Sequence, residues 1–403
     1  MIKTVTKQNN WQEVRLGDIF VIQNGYSFKS SDYVEFISDE LEVLKMGHIE
    51  RGGGLRKEPK KNYVPRSEKL KKWILDKGNI VIAMTDMKDN VVILGVPALI
   101  DKDDHYVLNQ RVAGLRLKEK NVDLDFVYNY LKWDEFLGTL RSKANSGVQV
   151  NLTTDAIKNS IILLPPPQEQ KAIAEVLSSF DEKIDLLHRQ NKTLEGMAQA
   201  LFRKWFVENP EREKWEVGKL GDEFDFTMGQ SPPGTSYNEK AIGIPMFQGN
   251  ADFEFRFPKN RIYTTEPKRF AEKFDTLISV RAPVGEQNMA SDKCCIGRGV
   301  AAFRYNKDNS FYTYTYFKLM SLMDEIKQFN QTGTVFGSIS KKDFENISIN
   351  IPPDNAIQNF QEIVQPIDDK IIKNEDQIRT LENLRDTLLP KLMSGEVRLK
   401  DFS

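Results

Sequence analysis

Amides, guanidinium groups and aromatic rings gather at two places in this chain. The first set is Tyr26 and Lys29, Lys60 and Lys61, and the run Asn109-Gln110-Arg111. The second is Gln230, Gln248, Asn250, Arg281, Gln287 and Arg298. Arg can make two parallel hydrogen bonds to guanine and Asn or Gln two to adenine, whereas Lys more often holds phosphate. Such side chains are also common on any solvated loop, so each is a candidate contact to a nucleic acid and no more. Asn109-Gln110-Arg111 and Arg298 each precede an apolar, strand-like run, a position from which loops on a rigid sheet commonly act.

Other chemistries find little support. No GxxxxGK[ST] loop is present, and Gly52-Gly53-Gly54 lacks the Lys and Ser/Thr that would make a phosphate cradle. No Gly-x-Gly turn opens a βαβ unit, which argues against a dinucleotide or adenosyl-cofactor site. Ser231-Pro232-Pro233-Gly234 reads as a turn, not an amino-methyltransferase motif, because it lacks the amide and the aromatic ring. His48, His105 and His188 are far apart in sequence, and no paired spacing suggests a metal site. Glu266-Pro267-Lys268 and similar acid–Lys triplets are expected by chance in so charged a chain. The residues therefore assign no catalytic group, no metal and no cofactor to this chain.

The elements that must position these residues are dominated by one stretch, Leu164 to Pro210. Pro165-Pro166-Pro167 marks a helix start. Behind it Ile173, Leu177, Phe180, Ile184, Leu187, Asn191, Leu194, Ala198, Leu201 and Trp205 recur at alternating spacings of four and three, an a/d seam. That helix should run about 50 Å at 1.5 Å per residue. A shift along the chain finds its partner in Phe360, Val364, Ile367, Ile371, Asn374, Ile378, Leu381, Arg385, Leu388 and Leu392. With the two seams centred antiparallel, Asn191 falls opposite Asn374, Ala198 opposite Ile367 and Trp205 opposite Phe360. The two amides either share a buried layer or face solvent or partner proteins.

The segments before each helix also echo one another. Trp11 to Leu16-Gly17-Asp18 matches Trp215 to Leu220-Gly221-Asp222, and Tyr63 matches Tyr263. Met46-Gly47-His48 is set against Gln248-Gly249-Asn250, Ile80-Val81-Ile82 against Leu277-Ile278-Ser279, and Ala113 to Arg116 against Ala301 to Arg304. Ser146-Gly147 through Leu164 is set against Thr332-Gly333 through Ile351. Several echoes in one order indicate a tandem duplication with dissimilar interiors. In the first copy, strands are expected at Ile19–Ile22, Val43–Met46, Ile80–Ala83, Val91–Leu94 and Ala113–Leu117, and a helix across Leu124–Leu140. Arg51 to Lys57 reads as a mobile basic loop and Ser142 to Asn151 as a polar one. The divisions are a mixed α/β module at 1–164, a long helix at 165–210, a second module at 211–350, and a second helix with a tail at 351–403.

Whole-chain charge is nearly balanced, 57 Lys and Arg against 58 Asp and Glu, so any polyanion-binding surface must be local. The first module is mildly positive, the second neutral and both helices negative. The only cysteines, Cys294 and Cys295, are adjacent, which excludes a disulfide framework and fits a reducing interior. No apolar run is long enough to span a membrane and no signal-like segment opens the chain, so a cytoplasmic, soluble protein is expected.

The whole chain resembles the specificity (S) subunit of a Type I restriction–modification enzyme, the HsdS family. The residues that carry this are the duplicated Trp…Leu-Gly-Asp openings and Leu164-Pro165-Pro166-Pro167-Gln168-Glu169-Gln170 with Ile173. Phe180-Asp181-Glu182-Lys183-Ile184 and its copy Ile367-Asp368-Asp369-Lys370-Ile371 add to it, as does the ending Leu388-Leu389-Pro390-Lys391-Leu392-Met393-Ser394-Gly395-Glu396. The resemblance implies an α+β chain with a pseudo-twofold internal repeat. Two mixed α/β target recognition domains would be separated by two long antiparallel coiled-coil helices. Each domain would read one half of an asymmetric, bipartite site in double-stranded DNA, and the helices would set the gap. It further implies docking of two modification subunits that bring S-adenosylmethionine. Restriction subunits, joined through them, would add ATP- and Mg-dependent translocation and cleavage. The second helix departs from the pattern, opening Pro352-Pro353-Asp354-Asn355-Ala356-Ile357-Gln358 without Gln-Glu-Gln. Two other readings stay open from the residues alone: a helical scaffold with two protein-binding modules, and a self-contained DNA methyltransferase.

Overall fold

The computed structural model describes residues 10–36, 38–87, 91–145, 149–281, 283–329 and 337–399. The Ser146-Gly147 and Thr332-Gly333 ends of one expected match lie outside them. The architecture is α+β, with two β-rich modules and two long helices, Pro167–Phe202 and Asp354–Met393. Contacts divide the chain into two compact units, Met1–Lys183 with Leu381–Ser403, and Ile184–Thr380. Each unit thus holds one module together with parts of both long helices.

In the first unit the root is the antiparallel pair Gln12–Arg15 with Ile161–Leu164, which sets Gln12 against Leu164 at the helix start. A four-stranded antiparallel sheet follows in the order Phe20–Asn24, Val112–Leu117, Ile80–Ala83, Pro97–Leu99. A second sheet, Tyr63–Pro65, Glu40–Leu44, Tyr106–Leu108, Ile74–Leu75, contains one parallel pair, Glu40–Leu44 with Tyr106–Leu108. Phe20, Ile80, Ile82, Leu115, Phe126 and Leu131 form one core with Ile173 and Leu177 of the first long helix and Leu392 of the second. Beyond that helix the tail returns. Arg398 grips Glu169 through Nε at 2.9 Å and Nη2 at 2.6 Å, and Trp11 Nε1 donates to the same carboxylate at 3.3 Å.

Two expectations for this module fail for identifiable reasons. Val91–Leu94 is not a strand, because the amides of Val92, Ile93 and Leu94 all turn onto one oxygen of Asp86, at 2.7, 2.5 and 3.1 Å. The helix across 124–140 is broken into Leu124–Lys132 and Asp134–Arg141, since Trp133 is extended. The basic loop at 51–57 is also tethered. Gly54 donates to the Pro97 carbonyl at 3.0 Å and Arg56 to that of His48 at 2.8 Å, while Gly53 and Gly54 take the positive φ values the turn requires.

The second unit repeats the plan. Its root pairs Glu216–Lys219 with Ser348–Ile351. Its antiparallel sheet runs Phe224–Met228, Val300–Tyr305, Thr276–Ser279, Gln287–Met289, and its other sheet again holds one parallel pair, Ile244–Phe247 with Cys294–Ile296. Ladder registers align the copies residue by residue. Tyr63 opposes Glu42 as Tyr263 opposes Pro245, and Ala113–Arg116 corresponds to Ala301–Arg304. Two sequence matches shift by one residue. Ile82 pairs with Ala113 as Ile278 does with Ala301, so Ile82 corresponds to Ile278, not to Ser279. Likewise Leu44 corresponds to Phe247, which makes Lys45 and not Met46 the counterpart of Gln248. A one-residue slip exchanges the faces of a strand, so the ladder overrules the apolar likeness.

Along the helices, Ile173, Leu177 and Leu392 are buried in the first unit, with Phe180, Leu381 and Leu388 half-buried. Arg385 there pairs with Asp181 at 2.8 Å. In the second unit Ile184, Leu187, Asn191, Ala198, Phe360, Val364, Ile371, Asn374 and Ile378 are buried, and Leu194, Leu201, Trp205 and Ile367 half-buried. The Trp205 and Phe360 rings meet edge to face at 6.2 Å.

Candidate nucleic-acid interface

Both modules build the same turn at the same place on the frame. In the first, the strand Phe20–Asn24 ends at Gly25, whose N–H donates to the Val112 carbonyl at 3.3 Å, and Tyr26 donates to that of Leu108 at 2.8 Å. Opposite lies the β-turn Asn109 to Val112, closed by the Val112 N–H on the Asn109 carbonyl at 3.0 Å. In the second, Gly229 donates to Val300 at 2.9 Å, Gln230 to Ile296 at 3.0 Å, and Val300 closes on Gly297 at 3.0 Å. Both glycines are required by close approach. A Cβ on Gly25 would lie 2.2 Å from the Leu108 carbonyl oxygen, and one on Gly229 would lie 2.1 Å from that of Gly297.

Different side chains stand on these equivalent backbones. Around the first turn the Tyr26 ring packs edge-on against Phe28 and Trp73, each at 4.9 Å. Lys69 Nζ lies over the Tyr26 ring and donates to its hydroxyl, and Lys72 Nζ sits 4.1 Å over the Trp73 ring. Asn109 Oδ1 accepts the Arg111 N–H at 3.2 Å, while Gln110 and Arg111 are exposed at the turn's crest. The structure thus brings together Tyr26, Asn109, Gln110 and Arg111, and adds Lys69, Lys72 and Trp73, which the sequence reading missed. The run Lys69-Leu70-Lys71-Lys72-Trp73 is itself a basic cluster beside an aromatic residue, a signal that was available.

Around the second turn the contacts form a hydrogen-bonded chain. Ser231 Oγ donates to Gln248 Oε1 at 2.9 Å, Gln248 Nε2 to Tyr237 OH at 2.6 Å, and Tyr237 OH to the Pro232 carbonyl at 2.9 Å. Arg298 joins through its N–H and Nε, both 3.3 Å from Ser231 Oγ. Gln230, Gln248 and Arg298 are therefore brought together, with Ser231 and Tyr237 as members the sequence did not single out.

The remaining candidates scatter. Lys29 caps a short 3-10 turn and is exposed, and Lys60 is exposed on the loop before Tyr63. Lys61 Nζ approaches Glu42 at 3.8 Å. Asn250 opens a short 3-10 turn just after Gln248, and Arg281 is exposed in a bridge to Ser338. Gln287 is half-buried, and its amide already donates to the Tyr316 carbonyl at 2.8 Å.

Beneath Lys61 lies a buried polar knot. Glu42 receives His48 Nε2 at 3.1 Å on one oxygen and His105 Nε2 at 3.3 Å on the other. The Lys45 N–H donates to His48 Nδ1 at 3.2 Å, which leaves the proton of the neutral ring on Nε2 and commits that nitrogen to Glu42 instead of a metal. Burial lowers the His48 pKa below its ordinary value, with Glu42 pulling the other way. Among the described residues no group of three or more His, Cys, Asp or Glu is placed to hold a metal ion, and no helix is long and apolar enough to cross a membrane.

Comparison with known proteins agrees with this duplicated plan. The family model described as Type I restriction modification DNA specificity domain matches residues 8–196 and again 212–383. The putative type I restriction enzyme MjaX specificity subunit of Methanocaldococcus jannaschii is 30% identical, over 97% of this chain and 94% of its own length. The HindI specificity subunit of Haemophilus influenzae is 21% identical, over 74% of this chain and 83% of its own. Among solved structures, the Type-I restriction-modification system S subunit from M. genitalium shares the fold. It covers 97% of this chain and 98% of its own length, with a TM-score of 0.62 at 20% identity.

Proposed function

This chain belongs to the specificity-subunit family of Type I restriction–modification systems, and we propose that its two modules read the two halves of one asymmetric DNA site. It is the DNA specificity subunit, a non-catalytic part of the Type I complex. In the proposed reading the first module takes one half-site and the second the other. The long helices set the gap between them and dock two modification subunits. Those subunits carry S-adenosylmethionine, and restriction subunits joined through them use ATP and Mg. The DNA-facing surface of each module is the shared turn, with Tyr26, Gln110 and Arg111 on one and Gln230, Gln248 and Arg298 on the other.

The observation that carries this reading is one backbone frame built twice with different side chains at the same crest. Duplicated readers with identical crests would favour a symmetric site; these favour an asymmetric one. Two half-sites about one helical turn apart, near 34 Å, suit paired readers on a common spacer.

The test is to sequence methylated adenines in cells expressing this chain with its modification subunits, before and after exchanging residues 11–164 for those of a relative. The segment keeps Gln12–Arg15 with its partner Ile161–Leu164. One half of the target should change and the other persist. A swap that alters both halves overturns the independent-reader proposal. Binding of the complex to target DNA should also weaken steeply as salt rises, which a mainly apolar protein-binding role would not produce.

A further inference from the structure

The alignment of the two turns singles out one position in each module. Gln110 and Arg298 are the same residue of the same β-turn. Each follows the residue whose carbonyl closes the turn, and the carbonyl of the next residue, Arg111 or Gly299, accepts the N–H of Met84 or Val280 of the neighbouring strand segment at 3.0 and 2.8 Å. Both side chains are exposed.

The surroundings of Arg298 aim it. Gly297 and Gly299 flank it, and a side chain at Gly299 would strike backbone while one at Gly297 would have to displace the Gln248 side chain. A Cβ would lie 2.3 Å from Gln248 Oε1 at the first and 2.1 Å from the Gln248 carbonyl oxygen at the second. The turn therefore presents Arg298 alone. Its Nε is anchored on Ser231 Oγ, and among the described residues neither terminal nitrogen has a hydrogen-bond partner. A guanidinium held at Nε with its terminal edge open is suited to two parallel bonds, the geometry that meets O6 and N7 of guanine. Gln248 has both ends of its amide engaged by Ser231 and Tyr237, so it holds Ser231, which in turn holds the arginine.

At the equivalent place the first module offers an amide. Gln110 gives its backbone N–H to the Tyr26 carbonyl at 3.0 Å, and among the described residues its side chain has no partner. An unengaged glutamine amide carries the donor and acceptor that match N7 and N6 of adenine.

We propose that this turn position is a base-reading position in both modules, with Arg298 selecting a G·C pair in one half-site and Gln110 an A·T pair in the other. The proposal rests on the two-reader function above and adds which residue reads and what it reads. Ser231 is a positioning residue for Arg298.

The experiment uses the chain assembled with its modification subunits. Methylated-adenine sequencing first establishes the wild-type target, and is then repeated with Arg298→Gln and with Gln110→Arg. Arg298→Gln should move the preference at one pair of its half-site from G·C toward A·T, and leave the other half-site as it was. Gln110→Arg should do the reverse in the first half-site. Competition binding should show about a 10- to 100-fold change in discrimination at that pair and little change elsewhere. Thermal unfolding serves as the control for folding, and both positions being exposed, midpoints should hold. An unchanged target with either substitution, or changes spread over several pairs, overturns the assignment while leaving the two-reader function standing. A wild-type complex whose target has no two-part form removes that function and this assignment together.

Discussion

Asn374 Nδ2 donates to Asn191 Oδ1 at 2.7 Å, with both residues fully buried between the long helices of the second unit. Asn191 passes the chain on, its Nδ2 donating to Glu375 Oε1 at 2.6 Å. Leu187, Ile371 and Ile378, about one turn away along the two helices, are buried as well. A slip of one heptad, about 10 Å along the axis, would set these amides against aliphatic side chains and break both hydrogen bonds. Pairing of this kind specifies register at some cost in stability.

Replacing Asn191 alone by Leu should therefore destabilise the chain by about 1–3 kcal/mol in urea unfolding, because the Asn374 amide is left buried without its partner. The double change Asn191→Leu, Asn374→Leu should recover most of that loss and relax the preferred gap in the methylated site. A double variant that keeps one strict gap would show that elements other than this layer hold the register.

Arg256 is the largest fully buried side chain of the second unit. Its Nη1 meets Asp368 at 2.7 Å, its Nη2 meets Glu195 at 3.2 Å, and its plane lies 3.9 Å over the Tyr316 ring. Burial pushes the Asp368 carboxyl up and the guanidinium pulls it back. Arg256→Met should cost about 3–5 kcal/mol, since the buried Asp368 would lose its charge partner and keep only the Thr313 hydroxyl. Adding Asp368→Asn should return a large part. Equal stability of the single and double variants in guanidinium titration would mean that the ring contact, not the ion pair, matters.

His48 should make the first unit acid-sensitive. Its folded pKa lies below the unfolded 6.5 because burial disfavours the imidazolium, so the unfolded state takes up protons first. The stabilisation is complete above about pH 6.5 and is lost as pH falls through the lower folded value. Glu42, His105, Lys61 and Lys45 face this ring or its partner carboxylate. A His48→Gln variant should show a flatter decline of stability as pH falls below 6.5 than the parent, measured by thermal unfolding at each pH. Parallel curves would assign the acid sensitivity elsewhere.

The tail closes the first unit through the two bonds from Arg398 to Glu169 and through Val397 and Leu399 against the core. Arg398→Ala should cost about 1–3 kcal/mol, because the buried carboxylate keeps only Trp11. Deleting residues 394–403 should cost more. Proteolysis of the first module should accelerate in the same order, and a deletion as resistant as the full chain would make the tail dispensable.

Arg111 is exposed beside Gln110, its guanidinium without a partner among the described residues. Arg111→Ala should weaken binding to all DNA sequences alike and lower the slope of log affinity against log salt by about 1. An unchanged slope would mean that Arg111 contacts no phosphate.

Periodic features are legible in the sequence itself. The three–four spacing from Ile173 to Trp205 and from Phe360 to Leu392 is local, and burial of one helix stripe follows from it directly. The two Trp…Leu-Gly-Asp openings likewise located both roots, because each is a short contiguous strand and turn. The phase of the inner strands was not legible. Ile80-Val81-Ile82 and Leu277-Ile278-Ser279 are apolar on both faces, and only the ladder to Ala113 and Ala301 distinguishes one offset from the next. The Val91–Leu94 run looked like a strand until Asp86 collected its amides. Nor could spacing reveal that Trp73 and Lys69 join Tyr26, or that Arg256 would be fully buried between Glu195 and Asp368. Sequence periodicity reports which side of an element is apolar. Which distant polar groups then meet depends on chain reversals whose geometry is decided only as most buried donors and acceptors find partners across the fold.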